Sequence, residues 1–169
     1  MRLLQALLKQ IKLFECLTYY TNSMDMDSNS RPIPKNLLPE VFEFTFNESF
    51  HPGCPVIWLP DLQVLAIGYG SDAKHVKVTA AQWRIFWLTL NHVKVWQWDE
   101  EYSPDCIVCD GKSWNLKIKY RGKEIESSGD NAYPGTNEIY FTADCDFGIF
   151  LAAVDILAGT DFSSKKFTD

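Results

Sequence analysis

The chain has 169 residues, 46% hydrophobic and 14% aromatic, which is the apolar mass of one ordinary domain and excludes wholesale disorder. With 16 basic and 22 acidic residues the net charge is −6, which does not favour general binding to a phosphate backbone. Five cysteines, Cys16, Cys54, Cys106, Cys109 and Cys145, make an odd number in a domain too large to need a disulfide framework, so a reduced cytoplasmic setting is expected.

Residues 1–23 read as an amphipathic helix. Leu3, Leu4, Leu7, Leu8, Ile11, Phe14 and Cys16 fall largely on one side, with Gln5, Lys9, Gln10 and Lys12 elsewhere. Lys9 and Lys12 interrupt the apolar run and no small-residue cleavage site follows, so a signal peptide is not expected. Three readings stand: a dispensable leader, with Met24 or Met26 as alternative starts, a docked helix, or a weak membrane contact. This segment carries three basic residues and one acid, which leaves the rest of the chain near −8. No apolar run is long enough for stable membrane insertion. Residues 21–36 are polar, with Pro32 and Pro34, and read as a linker. The expected organisation is a leader helix and linker over 1–36, a single α+β domain over 37–159, and a polar tail over 160–169.

Phe42, Phe44 and Phe46 alternate with polar residues and predict a half-buried strand. Pro52-Gly53 reads as a turn. Val56–Leu59 and Val64–Ile67, separated at Pro60-Asp61, predict a hairpin. Thr79 to Gln82 fits a capping box, followed by Trp83, Phe86, Trp87 and Leu90 at helical spacing, so a helix spans about 80–93. Asp110-Gly111 predicts a hairpin turn between strands 105–109 and 112–120. Arg121-Gly122 turns the chain into a strand over 123–127. That register sets Ile118 opposite Ile125, Lys119 opposite Glu124 and Lys117 opposite Glu126, with Trp114, Leu116, Ile118 and Tyr120 inward. Phe147, Phe150, Leu151, Val154, Leu157 and Ala158 predict a helix over 144–158, ended by Gly159. The fold class is α+β: an antiparallel sheet, made of N-terminal strands plus a three-stranded meander, packed against two aromatic-faced helices.

Few residues suggest chemistry. Gly68 to Ala73 matches a dinucleotide fingerprint formally, but a strand-like stretch follows where a helix must open. His51, Cys54, Cys106 and Cys109 have the residue types of a Cys3His zinc site, set against a plainer reading as free thiols and a surface histidine. Lys112, Lys117, Lys119, Arg121 and Lys123 have the makings of a nucleic-acid track, but Glu124 and Glu126 pair off two of them, and no nucleic-acid partner is expected. His75 and His92 lack any recognisable nucleophile or carboxylate partner. Gly129, Asn131, Tyr133 and Pro134 build a specific loop, either purely structural or lining a small pocket.

A longer pattern joins these elements: Trp83, Phe86 and Trp87; Trp96, Trp98 and Tyr102; Asp110, Gly111, Trp114, Leu116, Ile118, Tyr120, Gly122 and Ile125; and Ser128, Gly129, Asn131, Ala132, Tyr133 and Pro134. Over about residues 79–158 it resembles a group of small uncharacterised bacterial proteins with this core and a closing helix. The resemblance implies a bacterial α+β protein of the cytoplasm and assigns no catalytic residue. Cys106 and Cys109 stand outside the shared pattern.

The expected function is a non-enzymatic protein-interaction domain without a cofactor. By analogy of size and charge it would be an immunity or accessory protein of a bacterial toxin or defence locus. Its expected contact surface is Trp96, Trp98, Asp99, Glu100, Glu101, Tyr102 and Asp105, facing a basic effector or toxin. The alternative is a small-ligand or sensor domain with a pocket between helix 80–93 and the sheet.

Overall fold

A computed structural model describes residues 32–48, 51–104 and 111–162. Their elements are β1 (Val41–Glu48), β2 (His51–Leu59), β3 (Val64–Ile67), β4 (Lys74–Val76), α1 (Ala80–His92), β5 (Glu101–Tyr102), β6 (Lys112–Tyr120), β7 (Lys123–Asp130) and α2 (Asp146–Ala158). The strands form one sheet in the order β4-β3-β2-β1-β6-β7-β5. Neighbours are antiparallel except the short β5, which runs parallel to β7. Both helices pack on one face, giving the expected α+β architecture.

Period-two alternation in β1 turns Phe42, Phe44 and Phe46 to the helices, all 3% exposed or less. The β1–β6 register sets them beside Ile118, Leu116 and Trp114. α1 starts as its capping box predicts: Thr79 Oγ1 accepts from the Gln82 amide at 3.2 Å, and Gln82 Oε1 accepts from the Thr79 amide at 2.9 Å. Trp83, Phe86, Trp87 and Leu90 are buried. Trp83 stands edge-on to Phe42 and Trp58, and Trp87 stacks on Tyr120 at 3.7 Å. α2 opens at Asp146 with Cys145 as its cap and closes at Gly159, whose φ of 67° suits a residue without Cβ. Phe150 packs on Phe44 at 5.1 Å. Arg121 and Gly122 both take positive φ in the β6–β7 turn, and the three predicted pairings, Lys117–Glu126, Ile118–Ile125 and Lys119–Glu124, are formed.

Three expectations change. Pro52-Gly53 lies inside β2 rather than in a turn. β3 pairs with Val56–Leu59, with Gly68 donating to the Pro55 carbonyl at 2.9 Å, so its described ladder stops short of Pro52, where a residue without N–H fits, and the β1–β2 register shifts between Phe46 and Glu48. The expected strand at 105–109 falls outside the described residues, but β6 is already bonded by β1 along one edge and β7 along the other. The polar tail is not wholly outside the core: Asp155 accepts from Thr160 Oγ1 and the Phe162 amide, both at 2.7 Å, and Phe162 packs against Phe44 and Phe46. Before β1, Ile33 packs half-buried against the core. Most of the leader and linker lies outside the described residues.

Candidate functional site

The segment after α1 is held from beneath by its aromatics. Trp98 Nε1 donates to the Val93 carbonyl at 3.1 Å, and its ring meets Trp114, Phe147 and Phe150 at 5.4–6.4 Å. Trp98 is thus tied to the core while remaining half-buried, like Trp96. Trp96 donates to Asn91 Oδ1 at 3.0 Å and stays half-buried, with the Lys123 ammonium 5.3 Å from its ring centre. The Tyr102 hydroxyl accepts from the Asp99 amide at 3.0 Å, and burial pushes its phenol pKa up. The other side of the segment is strapped to β7. The Asp99 carbonyl accepts from Ser127 Oγ at 2.6 Å, and the Glu100 carbonyl accepts from the Ser128 amide at 3.0 Å. These bonds fix the backbone and leave the carboxylates of Asp99, Glu100 and Glu101 in solvent. Asp105 lies outside the described residues.

Glu100 and Glu101 border a groove of about 720 Å³ on the sheet face opposite the helices, together with Glu43, Glu124 and Glu126. The register explains the gathering. Glu43, Lys117 and Glu126 lie side by side across β1, β6 and β7, and Ser128 of the next row adjoins Glu101. Lys117 is the one cation among the described residues lining the groove; it pairs with Glu126, whose hydrogen bond and charge raise its pKa. Of the five glutamates, Glu126 pairs with Lys117 and Glu124 with Lys119, and the excess of carboxylates still makes a surface that accepts hydrogen bonds from Lys or Arg side chains. Glu43, Glu124 and Glu126 were not among the residues expected in a contact surface. Their signal was present: alternation turns Glu43 outward from the three phenylalanines.

The 129–135 loop holds Trp114 in place. The Trp114 indole donates to the Ala132 carbonyl at 3.0 Å. A Cβ at Gly129 would come within 2.5 Å of both partners, so only glycine fits. Asn131, at φ 48°, exchanges bonds with the Lys112 backbone: its Oδ1 accepts at 2.8 Å and its amide donates at 2.9 Å. The Pro134 carbonyl accepts from the Phe147 amide at 3.2 Å, joining the loop to the start of α2. Tyr133 is 1% exposed among Phe141 and Phe147, so it faces core rather than a pocket mouth.

The other candidates separate. Cys54 is half-buried; the His51 side chain, Cys106 and Cys109 lie outside the described residues. Among the described residues no group of three His, Cys, Asp or Glu side chains is placed to hold a metal ion. Gly70–Asp72 forms a short 3-10 turn leading into β4, so no helix opens on the glycine stretch. The basic strand is engaged: Lys112 pairs with Glu48 at 3.2 Å, Lys119 with Glu124 at 3.9 Å, and Arg121 Nε donates to the Asn36 carbonyl at 3.0 Å. His75 and His92 are exposed. Where a ligand pocket was the alternative, between α1 and the sheet, Trp83, Phe86 and Trp87 pack directly on Phe42, Trp58 and Tyr120. No helix among the described residues is long and apolar enough to cross a membrane. Compared with known protein families, curated proteins and solved structures, the chain matches none.

Proposed function

We propose that this chain is a non-enzymatic protein-interaction domain that offers an acidic surface to a basic protein partner. The observation that supports it is the strapping of Asp99–Glu101 onto β7, which sets Glu100 and Glu101 beside Glu43, Glu124 and Glu126 on one groove. Carboxylates held by a rigid backbone present a fixed field, which speeds the encounter with a basic partner and selects against acidic ones. The surface of the proposal is therefore carried by the glutamates, with Trp96 at its margin and Trp98 and Tyr102 as supports. The lysines of β6 and β7 are occupied by ion pairs and ring contacts, which favours a protein partner over a nucleic acid.

By analogy of size and charge, the proposed setting is that of an immunity or accessory protein of a bacterial toxin or defence locus, acting in the cytoplasm on a basic effector or toxin. That setting rests on analogy and on the sequence resemblance described above. The test is capture of a stoichiometric partner by the full chain in its native host. Glu100→Lys/Glu101→Lys should abolish capture, whereas Asp61→Lys, in the exposed β2–β3 loop, should not. Equal capture by the groove variant and the wild type would overturn the proposal.

A further inference from the structure

One edge of β7 is filled by β6 along its whole length; the other is filled only at its end. β6 and β7 join through a two-residue turn in which Arg121 and Gly122 both take positive φ. In such a hairpin Tyr120 and Lys123 exchange backbone bonds, and so does every second residue of β7 beyond. The N–H and C=O groups of Glu124, Glu126 and Ser128 therefore point away from β6. Ser128 shows that parity directly, since its amide donates to the Glu100 carbonyl at 3.0 Å. β5 pairs with Ser128 and Gly129, and the chain ahead of it is drawn towards the core at Trp98. Among the described residues no backbone group bonds the outward N–H and C=O of Glu124 and Glu126.

We propose that this open edge of β7 takes an extended basic segment of a protein partner as a further strand, end to end with β5. The proposal rests on the acidic-surface reading above and names the form in which the partner's charge arrives. Along Glu124–Glu126 a short strand can make about four main-chain bonds. Lys119 and Lys117 pair with Glu124 and Glu126 from β6, yet these glutamates stay 54% and 63% exposed, open to cations on the incoming strand. Lys123 and Ile125 point to the helix side, where the half-buried Trp96 ring lies 5.3 Å from the Lys123 ammonium. The matching segment alternates: basic side chains over the groove, an apolar one towards Ile125 and Trp96. The groove of about 720 Å³ runs along the same stretch, from Glu124 to Ser128, and gives the basic side chains room. A second copy fits less well. Two β7 edges paired antiparallel set glutamate opposite glutamate, and β4, at the far side of the sheet, is three residues long and turns only His75 outward.

The probe is a short synthetic peptide alternating lysine and valine, compared with the same peptide N-methylated along its backbone, which keeps the charge and removes the donors. Hydrogen exchange is read residue by residue on the full chain. Saturating peptide should slow the Glu124 and Glu126 amides at least about tenfold. The Lys123 and Ile125 amides, already bonded to β6, should change less, and the methylated peptide should slow none of them. Binding that leaves the Glu124 and Glu126 amides unchanged, or equal slowing by the methylated peptide, overturns strand addition while leaving the acidic-surface reading in place. Absence of binding by the unmethylated peptide at about 1 mM overturns it too; the capture experiment with Glu100→Lys/Glu101→Lys then judges the acidic surface separately. Slow exchange of the two amides in the free chain also overturns it, assigning the edge to a second copy if the protection falls on dilution and to the chain itself if it does not.

Discussion

Tyr133 carries the domain's sharpest stability test. Its ring is 1% exposed, packed 4.9 Å from Phe141 and 5.0 Å from Phe147, and its hydroxyl has no hydrogen-bond partner among the described residues. An unpaired buried hydroxyl costs about 1–3 kcal/mol. Tyr133→Phe removes that oxygen and keeps the ring, so the variant should be more stable by about 1 kcal/mol or more, with a Tm rise of roughly 3 °C per kcal/mol for a chain of this length. Urea unfolding at neutral pH should show a higher midpoint with an unchanged slope. The pH dependence supplies a second readout. Burial first, then the charges of Asp130 and Glu48, push the Tyr133 phenol above its ordinary 10.0. Below pH 10 the phenol is protonated in both states and contributes no slope. Above pH 10 it ionises in the unfolded chain first, so the wild type loses up to about 1.4 kcal/mol per pH unit from this group. Tyr133→Phe should lose less, keeping only the alkaline slope of groups such as Tyr102 and Tyr120, which burial also raises. A variant destabilised by 1 kcal/mol or more, or one with the wild-type alkaline slope, would refute the reasoning.

Other substitutions separate roles that the sequence left joined. Gly129→Ala drives a Cβ to within 2.5 Å of Trp114 Nε1 and the Ala132 carbonyl, and should cost about 3 kcal/mol in chemical denaturation. Trp98→Ala opens a gap beside Trp114, Phe147 and Phe150 and should cost about 3–5 kcal/mol. Trp96→Ala, at the margin, should cost about 1 kcal/mol; equal losses at the two positions would contradict the division between anchor and margin. Thr79→Ala removes the hydroxyl half of the α1 capping box, keeping the backbone amide bond to Gln82, and should lower stability by about 1 kcal/mol.

Local features were readable from the chain. The capping box at Thr79, the helical spacing of Trp83 to Leu90 and the cross-strand charges of β6 and β7 each act within a few residues of one another, and each is formed. The pairing of β1 with β6 was not readable, because its partners are brought together only by tertiary packing and no turn joins them. That same pairing assembles the groove. Glu43 and Glu126 meet across β6, so a reading that followed the acidic run 99–101 found one rim and missed the other. The ring contacts of Trp98 were not readable for a related reason. An indole beside three carboxylates looks the same in sequence whether it points to a partner or into a core supplied by α2.

The central position of β1 governs the order in which this protein can form. β1 is the first of the described strands to leave the ribosome, yet its β6 edge stays open until residue 120 is made. Phe44 and Phe46 wait longer, because the rings of Phe147, Phe150 and Phe162 that cover them belong to the last stretch of described chain. Such distant pairing slows folding and leaves an apolar strand edge unprotected meanwhile. Nascent chains halted before α2 should therefore be the aggregating species, and refolding should be limited by the arrival of the C-terminal helix rather than by the early hairpins.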